Sequence, residues 1–271
     1  MLGALLALTT GCSLVVADGV ADLTTSLNGK RDVRVTMLDL DPHVGQYLDF
    51  QVIEPGDPTD ATSFPQLEAR AVIDPLPTPC FEILWPRGSS LGATRLDFYA
   101  DLNLDGVLSA PGDDHVWRRE LTNEADGTGT HRFIHDINFD DIRSSQATAT
   151  GVDVEVALTG IDAQNGQIAI VTLIRDFRDA PELPQQESVF GIGVVGAVEA
   201  GMMNITIPGL LDASGDHRIE LDFGEGAMTC RREFTAPASG AFVVDSLDAF
   251  DCGVTDRHIV FRDIADAMCR G

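Results

Sequence analysis

The chain has 271 residues, with 43 acidic against 18 basic side chains and a formal charge of −25. That imbalance excludes nucleic acid and an anionic membrane surface as ligands of a folded face, and it favours a solvated surface that attracts cations. At 44% hydrophobic residues the chain can fill two small cores, and no segment carries the sustained 3.6-residue apolar periodicity of a long amphipathic helix.

In chain order, the first segment is Met1-Leu-Gly-Ala-Leu-Leu-Ala-Leu-Thr-Thr-Gly-Cys12, an apolar run that ends in a small residue and a cysteine. It is shorter than the ~20 apolar residues that cross a bilayer. It resembles the lipobox of bacterial lipoproteins, with its leucine at Leu8, four positions before the cysteine. The resemblance implies a signal peptide over 1–12, a lipid on Cys12 and a tether over 13–31. It also implies a place in the bacterial cell envelope, periplasmic or at the outer-membrane surface, with the membrane as a partner through the anchor.

Residues 32–142 break into short alternating segments separated by Gly, Pro and Asp: Val33–Leu38, Tyr47–Glu54, Ala69–Ile73, Cys80–Trp85, Arg95–Asp101, His115–Leu121 and His131–Ile137. Roughly seven such strands predict an antiparallel β-sandwich, immunoglobulin-like or fibronectin-like. The pattern then recurs over 152–271. Val33-Arg-Val-Thr-Met lines up with Val154-Glu-Val-Ala-Leu, Ile83-Leu-Trp-Pro86 with Ile205-Thr-Ile-Pro208, Arg95-Leu-Asp-Phe with Arg218-Ile-Glu-Leu, and Arg118-Arg-Glu-Leu with Arg231-Arg-Glu-Phe. The expected fold class is therefore all-β, two tandem antiparallel β-sandwich domains related by internal duplication, each of about 120 residues. The linker is expected at 143–151, rich in Ser, Thr and Ala, and the copies are expected to end alike at Phe139–Ile142 and Phe261–Ile264.

Beyond Cys12 there are four cysteines, an even number that an exported chain can oxidise. Cys230 and Cys252 are the expected disulfide, on neighbouring strands of the second copy. Cys80 is either a buried thiol or a partner of Cys269. No C-x-x-C spacing points to zinc.

Two motif matches fail on context. Gly191-Ile-Gly-Val-Val-Gly196 has the letters of a dinucleotide fingerprint, but nearby prolines and glycines leave no room for the helix that must follow, so a glycine-rich strand allowing close backbone approach is expected. Gly88-Ser-Ser-Leu-Gly92 has the letters of a nucleophile elbow but lies between β-segments, and reads as a hairpin turn. His131 and His135 share one face of a strand yet stand about 13 Å apart at 3.3 Å per residue, too far to chelate one ion together.

A third match fits its context. Asp101-Leu-Asn-Leu-Asp-Gly106 is D-x-N-x-D-G, and it resembles the calcium loop of EF-hands and dockerin-type repeats. The resemblance implies calcium held by Asp101, Asn103 and Asp105, the Val107 carbonyl and a water-mediated contact at Ser109. Gly112 stands where the family has a bidentate glutamate, so Asp113 or Asp114 would close the shell. The corresponding segment of the second copy, Asp222-Phe-Gly-Glu-Gly-Ala-Met, is shorter and lacks the motif. His43 and His115 give way there to Gln164 and Met228, which makes the two histidines a second, transition-metal candidate.

The expected function is a non-enzymatic cell-envelope lipoprotein acting as a binding or scaffold module, with a protein or glycan ligand, no nucleic acid, and a calcium-ordered loop in the first domain. The alternatives are a calcium-dependent carbohydrate-binding module, which would need Trp85, Tyr99 or Trp117 exposed, and an envelope hydrolase whose acid/base pair the sequence does not locate.

Overall fold

The computed structural model describes residues 30–56, 59–60, 65–92, 94–104, 108–109, 114–125, 127–140, 151–177, 186–211, 216–224, 226–255, 258, 260–265 and 269. Cys12, the lipobox and all but the last residue of the expected linker lie outside them. The first copy is built from β1 (Lys30–Leu38), β2 (Tyr47–Glu54), β3 (Gln66–Ile73), β4 (Phe81–Ser90), β5 (Arg95–Asp101), β6 (Asp114–Glu120), β7 (Thr122–Asn123) and β8 (Gly129–Ile134). The second is built from β9 (Val152–Thr159), β10 (Ala169–Phe177), β11 (Gln186–Val195), β12 (Met202–Leu211), β13 (Asp216–Phe223), β14 (Met228–Thr235), β15 (Ala241–Val244) and β16 (Asp251–Cys252); β17 (Phe261–Asp263) follows. Short 3-10 turns, Asp41–His43 and Asp162–Gln164, follow β1 and β9 at equivalent places.

The fold is all-β, and the two copies share one wiring. In the first, β1 lies between β4 and β8, opposite the sheet β3-β2-β5-β6; in the second, β9 lies between β12 and β15, opposite β11-β10-β13-β14. The register repeats as well. Ile83 faces Val35 and Ile205 faces Val156, while Arg118 faces Asp97 and Arg231 faces Glu220. Each of these arginines forks onto the carboxylate opposite it, Arg118 Nε at 2.7 Å and Arg231 Nε at 2.8 Å. A cross-strand ion pair kept at one lattice point of both copies is the physical form of the sequence repeat.

The sandwiches do not pack independently, contrary to the expectation of two separate domains. β3 and β11, the same strand of each copy, pair in parallel with Arg70 opposite Gly191 and Val72 opposite Gly193, which fuses the larger sheets into one of nine strands. Successive side chains of a strand point to opposite faces. Ala71, Ile73, Ile192 and Val194 thus join the core around Phe50 and Phe98, while Val72 joins the core around Val171 and Leu221. The two smaller sheets cover opposite faces of the shared sheet. β11 is covered on both, which accounts for its glycines: a Cβ on Gly191 would lie 2.3 Å from Leu210 Cδ2, and one on Gly193 3.0 Å from Ile205 and Ile207. The first two glycines of the G-x-G-x-x-G letters mark close packing of β12 onto β11, and the third, Gly196, sits against Pro75.

The expected domain limits also need correction. Lys30 and Arg31, assigned to the tether, already pair with Ser90 and Ser89 in β1·β4. The carboxyl-terminal segment, assigned to the second domain, crosses back: β17 pairs with β4, Phe261 opposite Ile83. Phe261 stacks on Phe81 at 5.3 Å, and Cys269 is disulfide-bonded to Cys80, with Cα atoms 5.7 Å apart. Without β17 that side of β4 would be an open edge with unpaired backbone groups. Phe139 is not its counterpart, because it stacks on His115 at 3.8 Å and the Asp140 amide donates to Val116 on β6. The Cys230–Cys252 bond joins β14 to β16 within the second copy. Gly88–Ser90 lie inside β4 rather than in a turn, and the buried Ser89 hydroxyl accepts from Arg31 Nε at 3.0 Å.

Candidate functional site

The acidic loop joins β5 to β6, and its ends face each other: Asp101 closes β5 directly opposite Asp114, which opens β6. Both carboxylates are buried. Their surroundings show how the fold tolerates this, since a buried acceptor must be matched by donors. Asp114 accepts the backbone N–H of Leu102 at 3.1 Å through Oδ1 and that of Ser109 at 2.6 Å through Oδ2. Asp101 accepts the N–H of Leu104 at 2.6 Å, and Leu104 takes the left-handed conformation, with φ of 60°. The first task of these acids is to gather the two ends of the loop. Asn103 lies exposed on the same turn. Of the residues expected to bind calcium, the structure thus brings Asp101, Asn103 and Asp114 to one loop; Asp105, Val107 and Asp113 lie outside the described residues. In the second copy the repeat register puts Gly224 at the position of Asp101, and the acid two residues before it, Asp222, accepts from the Thr229 hydroxyl at 3.3 Å.

The loop opens onto a cleft between the copies, of about 400 Å³, lined by Tyr47, Asp74, Asp101 and Leu104 on one side and by Asn204, Thr206 and Pro208 on the other. Sequence reading missed Asp74, which has no motif around it, and could not foresee a wall from the second copy. Burial raises the carboxyl of Asp74, and the nearby charge of Asp101 raises it further. Two acids converging on one cleft favour a cation there.

Beside the cleft, Arg70 on β3 forks onto Asp49 on β2 and also donates to the Pro208 carbonyl of the second copy. Burial alone would lower the basicity of Arg70, but Asp49 more than offsets it. Burial, then Asp49, pushes the Tyr47 and Tyr99 hydroxyls up. Trp85, Trp117 and Tyr99 are 0%, 0% and 7% exposed, so the three aromatics considered for a sugar platform are in the core. Among the described residues, Asp39, Cys80 and Cys269 gather ligand atoms within 4.8 Å of one another, but both sulfurs are committed to a disulfide.

No protein-family model matches the chain, and no curated protein does. Among solved structures, a mutant of the shaft pilin SpaA from Lactobacillus rhamnosus GG shares 12% identity over 80% of this chain and 96% of its own, with a TM-score of 0.20. A likeness at that level carries no structural or functional weight.

Proposed function

We propose that the chain is a non-enzymatic module of the bacterial cell envelope, anchored through Cys12, that displays a rigid pair of sandwiches and presents a calcium-ordered loop at the cleft between them. The observation that carries this reading is the fusion of the two copies through β3·β11, reinforced by the return of β17 to β4. Such a body holds its loops at fixed spacing, which suits a scaffold or binding surface. Two disulfides support an oxidising compartment outside the cytoplasm. Calcium is the fitting ion for the loop, since the donors gathered there are carboxylate and amide oxygens. Asp101 and Asp114 would be ligands, and Asn103 with Asp105, Val107 and Asp113 would complete the set. The aromatics that the glycan alternative would need exposed, Trp85, Tyr99 and Trp117, are buried. The hydrolase alternative would need Asp74 and Asp101 to work as an acid/base pair.

Expression in a bacterial host behind a full-length signal peptide tests the anchoring. The parent chain should fractionate with membranes and take up labelled palmitate, and Cys12→Ala should move to the soluble periplasmic or secreted fraction. Membrane retention of the Cys12→Ala chain, or a parent chain that stays cytoplasmic, contradicts the reading.

A further inference from the structure

Three imidazoles converge on Trp117 in the first copy, from three separate elements. His43 comes from the turn after β1, His115 from β6, and His135 immediately follows β8. The buried His43 ring lies 5.3 Å from that of His115, 5.0 Å from that of His135 and 5.6 Å from Trp117. The separation of His131 from His135 along one strand is irrelevant to this cluster, because the partner of His135 comes from a turn 92 residues away.

The tautomer of His43 is set by its neighbour. Its Nδ1 lies 2.8 Å from Gln46 Oε1, and a carbonyl oxygen only accepts, so Nδ1 carries the proton and Nε2 carries the lone pair. That Nε2 faces Nε2 of His135 at 3.1 Å. Two imidazole nitrogens bound to one ion at about 2.1 Å, and 3.1 Å apart, subtend about 95° at the metal. A carbonyl holding the far nitrogen of a ligating histidine is the usual outer support of such sites. His115 Nδ1 is buried with no hydrogen-bond partner. Burial lowers the basicity of both His43 and His115.

The second copy acts as a control on the framework. Its equivalents of His43 and His115, Gln164 and Met228, also touch, with Gln164 Nε2 at 3.6 Å from Met228 Sδ. The fold brings these two positions together in both copies, and only the first fills them with imidazoles.

We propose that His43 and His135 are the fixed ligands of a site for a borderline divalent transition-metal ion, for which zinc is the probe, and that His115 completes it. Nitrogen ligands select such ions over calcium, so this site is independent of the oxygen-lined loop. The nitrogens of all three rings do not lie within 4.8 Å of one another, so His115 reaches the ion by rotating away from Phe139. Gln46 is a positioning residue.

Zinc titration of the tag-free, full-length, oxidised chain in excess calcium tests this. One zinc per chain is expected, and cobalt substitution should give the visible d–d absorption of a nitrogen-ligated ion. His43→Gln, which places there the residue the second copy already uses, and the half-buried His135→Gln should each weaken binding at least about tenfold. Gln46→Leu should weaken it about 10–100-fold. His131→Gln should change nothing. A parent chain with no saturable zinc binding overturns the proposal, as do folded His43→Gln and His135→Gln chains that titrate like the parent.

Discussion

A chain carrying Cys269→Ser is expected to unfold with about 5 kcal/mol less free energy than the parent, and with a Tm lower by about 10–20 °C. The size follows from topology. The bond to Cys80 spans 189 residues, so it closes a loop holding most of both sandwiches, whereas Cys230–Cys252 spans 22. In the chain-entropy model the shorter loop is worth only about 3 kcal/mol. The longer bond also holds β17 on β4, and with it the stacking of Phe261 on Phe81. Urea unfolding of Cys269→Ser and Cys252→Ser, with thermal melts, should rank Cys269→Ser as the more damaging. A Cys269→Ser chain within about 1 kcal/mol of the parent would show that the return of the chain to the first sandwich contributes little.

Asp49→Ala is expected to cost about 3–5 kcal/mol, because it leaves the Arg70 guanidinium buried without its carboxylate. Asp49 is 0% and Arg70 5% exposed, and the arginine also reaches the Pro208 carbonyl across the junction, so the loss falls where the two copies meet. Removing both charges with Asp49→Leu and Arg70→Met should recover most of that cost. The shortfall should be about 1 kcal/mol for the donor withdrawn from Pro208. Chemical denaturation of the single and double variants measures this directly. A double variant as unstable as Asp49→Ala would mean that packing, and not a stranded charge, sets the cost.

Much of the architecture was legible because strand alternation and repeated ion pairs are local signals. The seven segments read between Val33 and Ile137 coincide closely with β1 to β6 and β8, and the matches of Ile83 with Ile205 and Arg118 with Arg231 are register-true. What escaped was most of what distant parts of the chain determine, although pairing with Cys269 is one of the two readings the sequence leaves open for Cys80. A strand covered on both faces, such as β11, loses the polar alternation that marks a solvent face, so Phe190-Gly-Ile-Gly-Val gave no sign of joining β3. The pairing of β17 with β4 is invisible for a similar reason, since Phe261-Arg-Asp is too short to state its partner. At the sites, the D-x-N-x-D-G spacing located the loop, because its turn is local. Asp74, Pro208 and His135 reach their neighbours only through the assembled fold.

Calcium titration of the oxidised chain most directly tests whether the first copy carries a built binding loop. Extracellular calcium modules bind with Kd of about 10⁻⁴–10⁻³ M, so ~1 mM calcium should stabilise the parent by about 0.4–1.4 kcal/mol, a shift of a few degrees at most. One site per chain is expected. It should be lost in the Asp101→Asn, Asp105→Ala double variant and unchanged by Asp222→Asn in the second copy. No heat and no calcium-dependent change in Tm at millimolar calcium would mean that Asp101 and Asp114 serve only to tie the loop ends, and would contradict the account.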